Sequence, residues 1–427
     1  MEINELYNRF IKYPSVQTDS RKIKNGDIFF ALKGPNFNGN QYAKQALDDG
    51  ASYCVVDEET GIPDERVIRV PDCLAALQQL AKRHREEFSI PFIAITGSNG
   101  KTTTKELVHT VLSAKYKTYT TAGNLNNHIG IPLTILSVKP DAEMAVIEMG
   151  ANHQKEIEGY CRYALPTHGL ITNCGKAHLE GFGGEEGVRK GKGELFDFLR
   201  NSGGTAFIFN DYNYLIEMSK GIQHIITYGT SNAVFTGQAV KDTGNDFLRV
   251  RITSGAGICE INTHLVGGYN LPNVLAAVCI GKTFGVDENA IVQALENYVP
   301  SNSRSQLIEK DGNRIILDAY NANPSSMKAA IENFANMPGN KKVLMLGGMM
   351  ELGRESIQEH TALVNHINRH SWYKVVLVGK DFTNLPEGFI HFTDVSAAKN
   401  WYKEQHLSGA LVLLKGSRSM QMEKVLE

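Results

Sequence analysis

Residues 96–103, TGSNGKTT, put Gly97, Ser98, Asn99, Gly100, Lys101, Thr102 and Thr103 directly after the apolar run FIAI and directly before the helical pattern TKELVHTVLSA. That order reads as strand, glycine turn and helix. Backbone N–H groups from Gly97 to Lys101, joined by the free N–H groups of the following helix, can surround a phosphate. The Lys101 ammonium can then reach the terminal phosphates of a nucleotide, and the Thr102 hydroxyl can ligate magnesium. The spacing is shorter than GxxxxGKT, because no glycine stands at that pattern's first position and the loop's first glycine is Gly97. Nucleotide phosphate binding is the chemistry these residues suit; a coincidental glycine turn is the alternative.

Magnesium takes hard oxygen ligands and retains several waters. Glu148 ends the apolar run MAVIE, so its carboxylate projects from the same strand-end edge as the phosphate loop. It is a metal or water-positioning candidate, against a salt-bridged or capping glutamate. His178, in NCGKAHLE, follows the next strand pattern and is a candidate second magnesium ligand, although imidazole is not this metal's preferred donor. Lys192, in VRKGKGELFDFL, lies four residues after Val188 and four before Phe196, on the apolar stripe rather than the wet face. A cation facing inward requires a partner or a modification. A snorkelling lysine, a lysine beside a polyanion and a carbamylated lysine all remain open.

Three blocks of elements must position these groups, with boundaries at 1–88, 89–303 and 304–427. In the first, DIFFAL and SYCVV read as strands, and QYAKQALDDG and CLAALQQLAKRHREEF as helices. Ser89-Ile90-Pro91 then makes a hinge. The second block carries the phosphate loop, MAVIEMG and THGLITNCG, apolar runs ending in small and polar residues, as parallel strands do at a site-bearing edge. From about residue 205 to 266 it turns β-rich (TAFIFN, HIITYG, NAVFTGQAV, DFLRVRIT, CEINTHLV), an antiparallel flank to the parallel sheet, and the helix LPNVLAAVCIGKTF follows. PSNSRS makes a linker to the third block, which alternates strand and helix from RIILDAY to ALVLLKG and reads as a small parallel α/β domain.

Composition limits what the chain can be. Its 427 residues include 42% hydrophobic and 21% charged, ordinary globular usage with room for several cores. With 44 Lys plus Arg against 46 Asp plus Glu, the net charge of −2 gives no electrostatic reason to expect a general nucleic-acid binder, so any polyanion must be met locally. The start MEINELYNRF has no basic-then-apolar signal pattern, and no apolar run is long enough to span a bilayer, so the expectation is a cytoplasmic protein without a membrane span. Cys54, Cys73, Cys161, Cys174, Cys259 and Cys279 lack CxxC spacing and read as buried free thiols.

Taken together, TDSRKIKNGDIFFALKG, TGSNGKTTTKE, TAGNLNNHIGIPLT, EMGANHQKEI, ITNCGKAHLEGFG, KGKGELF, GGYNLPNVLAA, LDAYNANPSSMKAAI and LLKGSRSMQMEKV resemble the Mur ligase family over essentially the whole chain. DAYNANPSSM and AGNLNNHIGIPLT are the most specific among them, and point to the member that adds D-alanyl-D-alanine to UDP-N-acetylmuramoyl-tripeptide. The resemblance implies an α/β, three-domain architecture: a UDP-muramoyl substrate domain, a central P-loop ATPase-like parallel sheet with a β-rich flank, and a C-terminal Rossmann-like domain. It implies a monomer using ATP and Mg2+, with Lys101 on the β- and γ-phosphates, Thr102 and Glu148 at one magnesium, and His178 at a second. Lys192 falls where members carry a carbamylated lysine. Asn273 corresponds to an adenine contact, Arg304, Asp318 and Tyr320 to nucleotide contacts. Thr18, Asp19, Ser20 and Arg21, with Asn36, Phe37, Asn38 and Gly39, fall at uridine-nucleotide stretches; Asn127, Asn321, Lys415 and Arg418 fall toward the substrate. One departure stands out: the third domain has LGGM where the family has LGDM, so Gly348 removes an acid, and Glu351 is the carboxylate nearest in sequence to replace it.

Overall fold

The computed structural model describes residues 2–240, 246–301 and 303–427; Asn302 of the expected linker lies outside them. Three main sheets follow one another along the chain. The first has four parallel strands, Val16–Gln17, Ile28–Phe30, Tyr53–Val56 and Val67–Arg69, adjacent in that order. A two-stranded ribbon pairs Lys33–Gly34 with Phe37–Asn38. The expected helix at CLAALQQLAKRHREEF runs Cys73–Arg85: the Asp72 carboxylate accepts from Ala75 N at its start, Cys73, Ala76, Leu77, Leu80 and Ala81 form its buried stripe, and basic residues fill its last turn. An amphipathic helix, Ile3–Lys12, also packs there through Leu6, Tyr7 and Phe10, in a stretch with no expected element.

The helix Cys73–Arg85 ties the first sheet to the second. His84 contacts Tyr7 Oη through Nδ1 at 3.2 Å and Val138 O through Nε2 at 2.8 Å. Arg85, buried over the Phe92 ring at 3.8 Å, donates to Ala164 O and Leu165 O, both at 3.0 Å. Those carbonyls end the helix Glu156–Ala164, so the guanidinium supplies donors that a helix C-terminus lacks. Burial lowers its pKa to about 10, which leaves it charged at neutral pH.

The second sheet has nine strands, in spatial order Glu260–Val266, Phe247–Ser254, Phe235–Val240, His224–Gly229, Thr205–Phe209, His168–Ile171, Phe92–Thr96, Met144–Glu148 and Thr118–Thr120. Phe92–Thr96 is buried along its whole length and pairs in parallel with Met144–Glu148 on one side and His168–Ile171 on the other. Chain order reverses across it, so a crevice opens at its C-terminal end. The antiparallel flank is smaller than expected: Thr205–Phe209, His224–Gly229 and Phe235–Val240 continue the parallel ladder, and reversal begins only at Phe247–Ser254.

The third sheet runs Gln306–Lys310, Asn313–Asp318, Leu411–Lys415, Lys342–Gly347, Lys374–Val378 and Phe389–Phe392, parallel except for its first strand. Alternation assigns its two faces. Leu344, Leu346, Leu377 and Leu413 join the large core with Met327, Ile331 and Leu363, while Val343, Met345, Val376, Val412 and Leu414 pack on Ala398, Tyr402, Met422 and Val425. Five cysteines are buried free thiols as expected; Cys259, beside the bend between two antiparallel strands, is exposed. Among the described residues no helix is long and apolar enough to cross a membrane.

His168 opens its strand with the ring stacked on Phe207 at 6.1 Å and edge-on to Phe284 at 5.1 Å, and burial lowers its pKa to about 4. The unfolded chain therefore takes up this proton first as pH falls, so stability is full above about pH 6.5 and declines toward pH 4. Between pH 7 and pH 5 this linkage removes about 2 kcal/mol. In urea unfolding, His168→Phe is expected to lose less stability over that interval than the parent by about that amount; equal losses would show that the ring titrates normally.

Candidate active site

A cleft of about 780 Å³ lies at the C-terminal end of Phe92–Thr96, walled by residues of the second sheet and the third. Its floor is the phosphate loop, held by the end of the neighbouring strand: Ser98 N donates to Asn173 O at 2.8 Å, Asn99 N to Asn173 Oδ1 at 3.1 Å, Thr172 Oγ1 to Asn99 O at 2.6 Å and Ser98 Oγ to Gly175 O at 2.8 Å. Glycine is required at Gly97, whose φ is +142° and where a Cβ would sit 2.0 Å from Thr172 Oγ1. Gly100, at φ +80°, starts the helix Lys101–Ser113 without a side-chain cap, so the N–H groups of its first turn remain open to an anion. Lys101 Nζ donates to Gly97 O at 2.6 Å and Ser98 O at 3.2 Å. Burial lowers its pKa, opposed by the Glu148 carboxylate and reinforced by Arg304.

Glu148 is 1% exposed. Its Oε1 accepts from Thr102 Oγ1 at 3.0 Å and Asn126 Nδ2 at 2.7 Å, while its Oε2 is buried without a hydrogen bond. An orphaned carboxylate oxygen beside a threonine hydroxyl is a hard-oxygen donor set, which fits magnesium. Asn126, rather than Asn127, makes that contact; Asn127 lines the cleft and its Oδ1 accepts from Ile129 N and Gly130 N. His178 also lines the cleft, at φ +53°, its Nδ1 meeting the Glu351 carboxylate. That bond, outweighing burial, which acts the other way, sets the Glu351 pKa below the ordinary range.

Lys192 is on the inward stripe as expected, 1% exposed on the helix Glu185–Ser202. Its Nζ donates to Ala151 O at 2.9 Å and sits 4.9 Å over the Phe182 ring. Burial pushes its pKa well below the ordinary lysine range, and the Lys101 charge adds to this. Lys192 stands behind Ala151, which lines the cleft, and is not itself part of the wall. No group of three or more His, Cys, Asp or Glu side chains forms a metal cluster among the described residues.

Farther along the cleft, Asn273 Oδ1 accepts from Thr104 Oγ1 at 3.1 Å, and its Nδ2 donates to Asn270 Oδ1 at 2.9 Å. Arg304 lies 3.6 Å over the Tyr320 ring. Asp318 and Lys415, register partners at the ends of neighbouring strands, form a 2.6 Å ion pair, and Lys415 also donates to Asn321 O at 3.2 Å. Arg418 is not itself in the cleft wall but lies 5.6 Å over the ring of Tyr320, which is, and pairs with Glu423 at 3.4 Å. The residues expected at the uridine nucleotide lie apart. Thr18, Ser20, Asn36 and Gly39 lie on the first unit, with Asp19 paired to Arg21 at 2.8 Å, Asn38 to Glu58 at 2.8 Å and Phe37 56% exposed; none lines this cleft. Thr172 and Asn173, which shape the loop, and Tyr212 and Tyr214, stacked at 5.4 Å in the wall, belong to no motif that marks them as site residues. The only cue to them was polar or aromatic residues following apolar strand runs.

Fold and cleft define a multi-unit α/β enzyme that binds a nucleotide at a phosphate loop and reacts it beneath a second parallel sheet. The chain belongs to the Mur ligase family: models of the Mur ligase family catalytic domain, the Mur ligase middle domain and the Mur ligase glutamate ligase domain match residues 12–85, 95–281 and 303–418. It is 34% identical to UDP-N-acetylmuramoyl-tripeptide–D-alanyl-D-alanine ligase of Bacillus subtilis, over 96% of this chain and 92% of that one. The Escherichia coli protein of the same name is 35% identical over 99% of this chain and 95% of its own. Among solved structures, MurF from Acinetobacter baumannii superposes with TM-score 0.88 at 30% identity, covering 96% of this chain and 92% of that one. MurF ligase from Thermotoga maritima in complex with ADP gives 0.85 at 28% identity, covering 96% of each.

Removing the Lys101 ammonium takes charge from the point where phosphoryl charge is redistributed. Lys101→Ala is expected to cut nucleotide turnover about 10²-fold or more while leaving the thermal transition in place. A folded variant with parental ADP release would reject the role.

Proposed function

We propose that this chain joins D-alanyl-D-alanine to UDP-N-acetylmuramoyl-tripeptide, converting ATP to ADP and phosphate and yielding UDP-N-acetylmuramoyl-pentapeptide for peptidoglycan precursor synthesis in the cytoplasm. The observation that carries this is likeness over nearly the full length to relatives of that name, combined with a phosphate loop facing a second sheet across one cleft. The domains are assigned as 1–88 for the UDP-muramoyl substrate, 89–303 for ATP, and 304–427 for the C-terminal body.

A free carboxylate is a poor acceptor for an amine, so it is first activated. The terminal carboxylate of the tripeptide attacks the γ-phosphorus of ATP, giving an acyl phosphate and ADP; the dipeptide amine then attacks the carbonyl and phosphate leaves. The loop N–H groups and Lys101 bind and orient the β- and γ-phosphates. Thr102 and Glu148 would hold magnesium, which supplies charge neutralisation on those phosphates, and His178 is assigned to a second ion. Asn273 is assigned to adenine and Arg304, Asp318 and Tyr320 to the rest of the nucleoside. Thr18 to Arg21 and Asn36 to Gly39 are assigned to the uridine nucleotide, and Asn127, Asn321, Lys415 and Arg418 to the remaining substrate. Seating of the third unit over the cleft excludes water from the acyl phosphate.

Lys192 is assigned a carbamate. Burial favours its neutral amine, the form that adds carbon dioxide with loss of one proton, and the product is an anion whose oxygens suit a divalent cation. Protein stripped of carbon dioxide at mildly acidic pH is expected to lose ligation and recover it with bicarbonate, while Lys192→Ala shows no bicarbonate response. Full activity of the stripped parent would reject the modification.

Purified chain with UDP-N-acetylmuramoyl-tripeptide, D-alanyl-D-alanine and Mg-ATP is expected to form the pentapeptide, read by mass spectrometry, with one ADP per product. Absence of product under conditions where both substrates bind would sink the assignment. A free amino acid outcompeting the dipeptide would point to a sister ligase.

A further inference from the structure

We propose that Glu351 is the positioning residue of His178: the third unit delivers its carboxylate across the seam and holds the imidazole in the tautomer that carries hydrogen on Nδ1. The ring nitrogen facing Glu351 is Nδ1. A neutral imidazole has one N–H, so a carboxylate accepting from Nδ1 leaves the lone pair on Nε2, the nitrogen still available to the cleft that His178 lines. Histidines that bind metals are commonly set in this way by a carboxylate on the other nitrogen.

The seam is built to make this contact. His178 and Glu351 both have left-handed backbone, φ +53° and +60°, where glycine would be less strained, so the fold retains side chains at two unfavourable positions that face each other. The Glu351 loop is fixed from behind by its own unit: Met349 N donates to His360 Nε2 at 3.0 Å and Met350 N to Ser417 Oγ at 2.9 Å, both acceptor residues being buried. It is fixed from the front by Glu180 N, which donates to Glu351 O at 3.3 Å, and by Gly353, where a Cβ would come within 3.2 Å of Glu180 Cβ. Gly348 brings no carboxylate to this loop, so Glu351 is the acid it presents to the central unit. His178 thus acquires its orientation only with the third unit seated, which couples seating to completion of the site.

This rests on the ligase reading for what His178 does, but not for how its ring is held, and the test separates the two. In the full chain with 15N-labelled histidine rings, His178 being assigned with His178→Gln, the parent is expected to show Nδ1–H. Glu351→Ala should move the ring toward the Nε2–H form, and Glu351→Gln should retain Nδ1–H because its amide oxygen still accepts. With a non-hydrolysable ATP analogue bound, Glu351→Ala should weaken the weaker of two Mn2+ ions about tenfold or more and leave the tighter one unchanged. Parental ring shifts in Glu351→Ala, or Mn2+ affinities unchanged by it, overturn the proposal. If the parent forms no pentapeptide but the ring switches, the ligase reading falls and the positioning role stands.

Discussion

The cleft depends on one close approach, that of the Gly97 backbone to Thr172. The phosphate loop can present its N–H groups only if its carbonyls and remaining donors are satisfied elsewhere, and the strand end at Thr172 to Gly175 does this through side chain and backbone alike. Because Thr172 Oγ1 occupies the space a Cβ at Gly97 would need, sequence and spacing are locked together here. The loop's shape is therefore a property of two neighbouring parallel strands rather than of the eight-residue motif.

A second constraint is electrostatic. A chain with net charge −2 has to meet a polyanion with a local field, and at the phosphate loop Lys101 and the uncapped helix N-terminus lie where that field is needed. Lys101 and Lys192 are both pushed toward neutrality by burial, and the Lys101 charge adds to the shift at Lys192. Glu148 opposes the shift at Lys101 while leaving one of its own oxygens unpaired. On the ligase reading, a divalent cation would supply the partner that the second Glu148 oxygen lacks, and phosphate the anion that the loop faces.

The two joints between units differ in kind. The first unit is fastened by buried groups, His84 and Arg85, whose donors would be left unpaired by separation. The third unit meets the phosphate loop through polar side chains: Asn323 Nδ2 donates to Asn99 Oδ1 at 2.7 Å, Lys176 pairs with Glu359 at 2.6 Å, and Lys176 N donates to Ser325 Oγ at 3.0 Å. Asn323 and Glu359 are buried as well, so the two joints differ in their acceptors: backbone carbonyls at a helix end on the first unit's side, side chains beside the phosphate loop on the third.

By itself the sequence determined what period and local chemistry encode. The helices Ser356–Ile367 and Val395–Glu404 follow from their apolar spacing, the loop at Gly97 to Thr103 from its glycines, and the inward side of Lys192 from its place between Val188 and Phe196. The motifs also carried the family. Tertiary structure decided whatever depends on which strands are neighbours. Thr205–Phe209 and His224–Gly229 have the composition of flank strands, yet extend the parallel ladder, because pairing direction is set by the crossover between strands and not by residue type. Asn126 and Asn127 are indistinguishable as letters; only the turn preceding Gly130 sends one amide to Glu148 and the other to its own backbone. Glu351 reaches His178 over 173 residues of chain, a contact with no local signature, since it exists only where two separately folded sheets place their strand ends face to face.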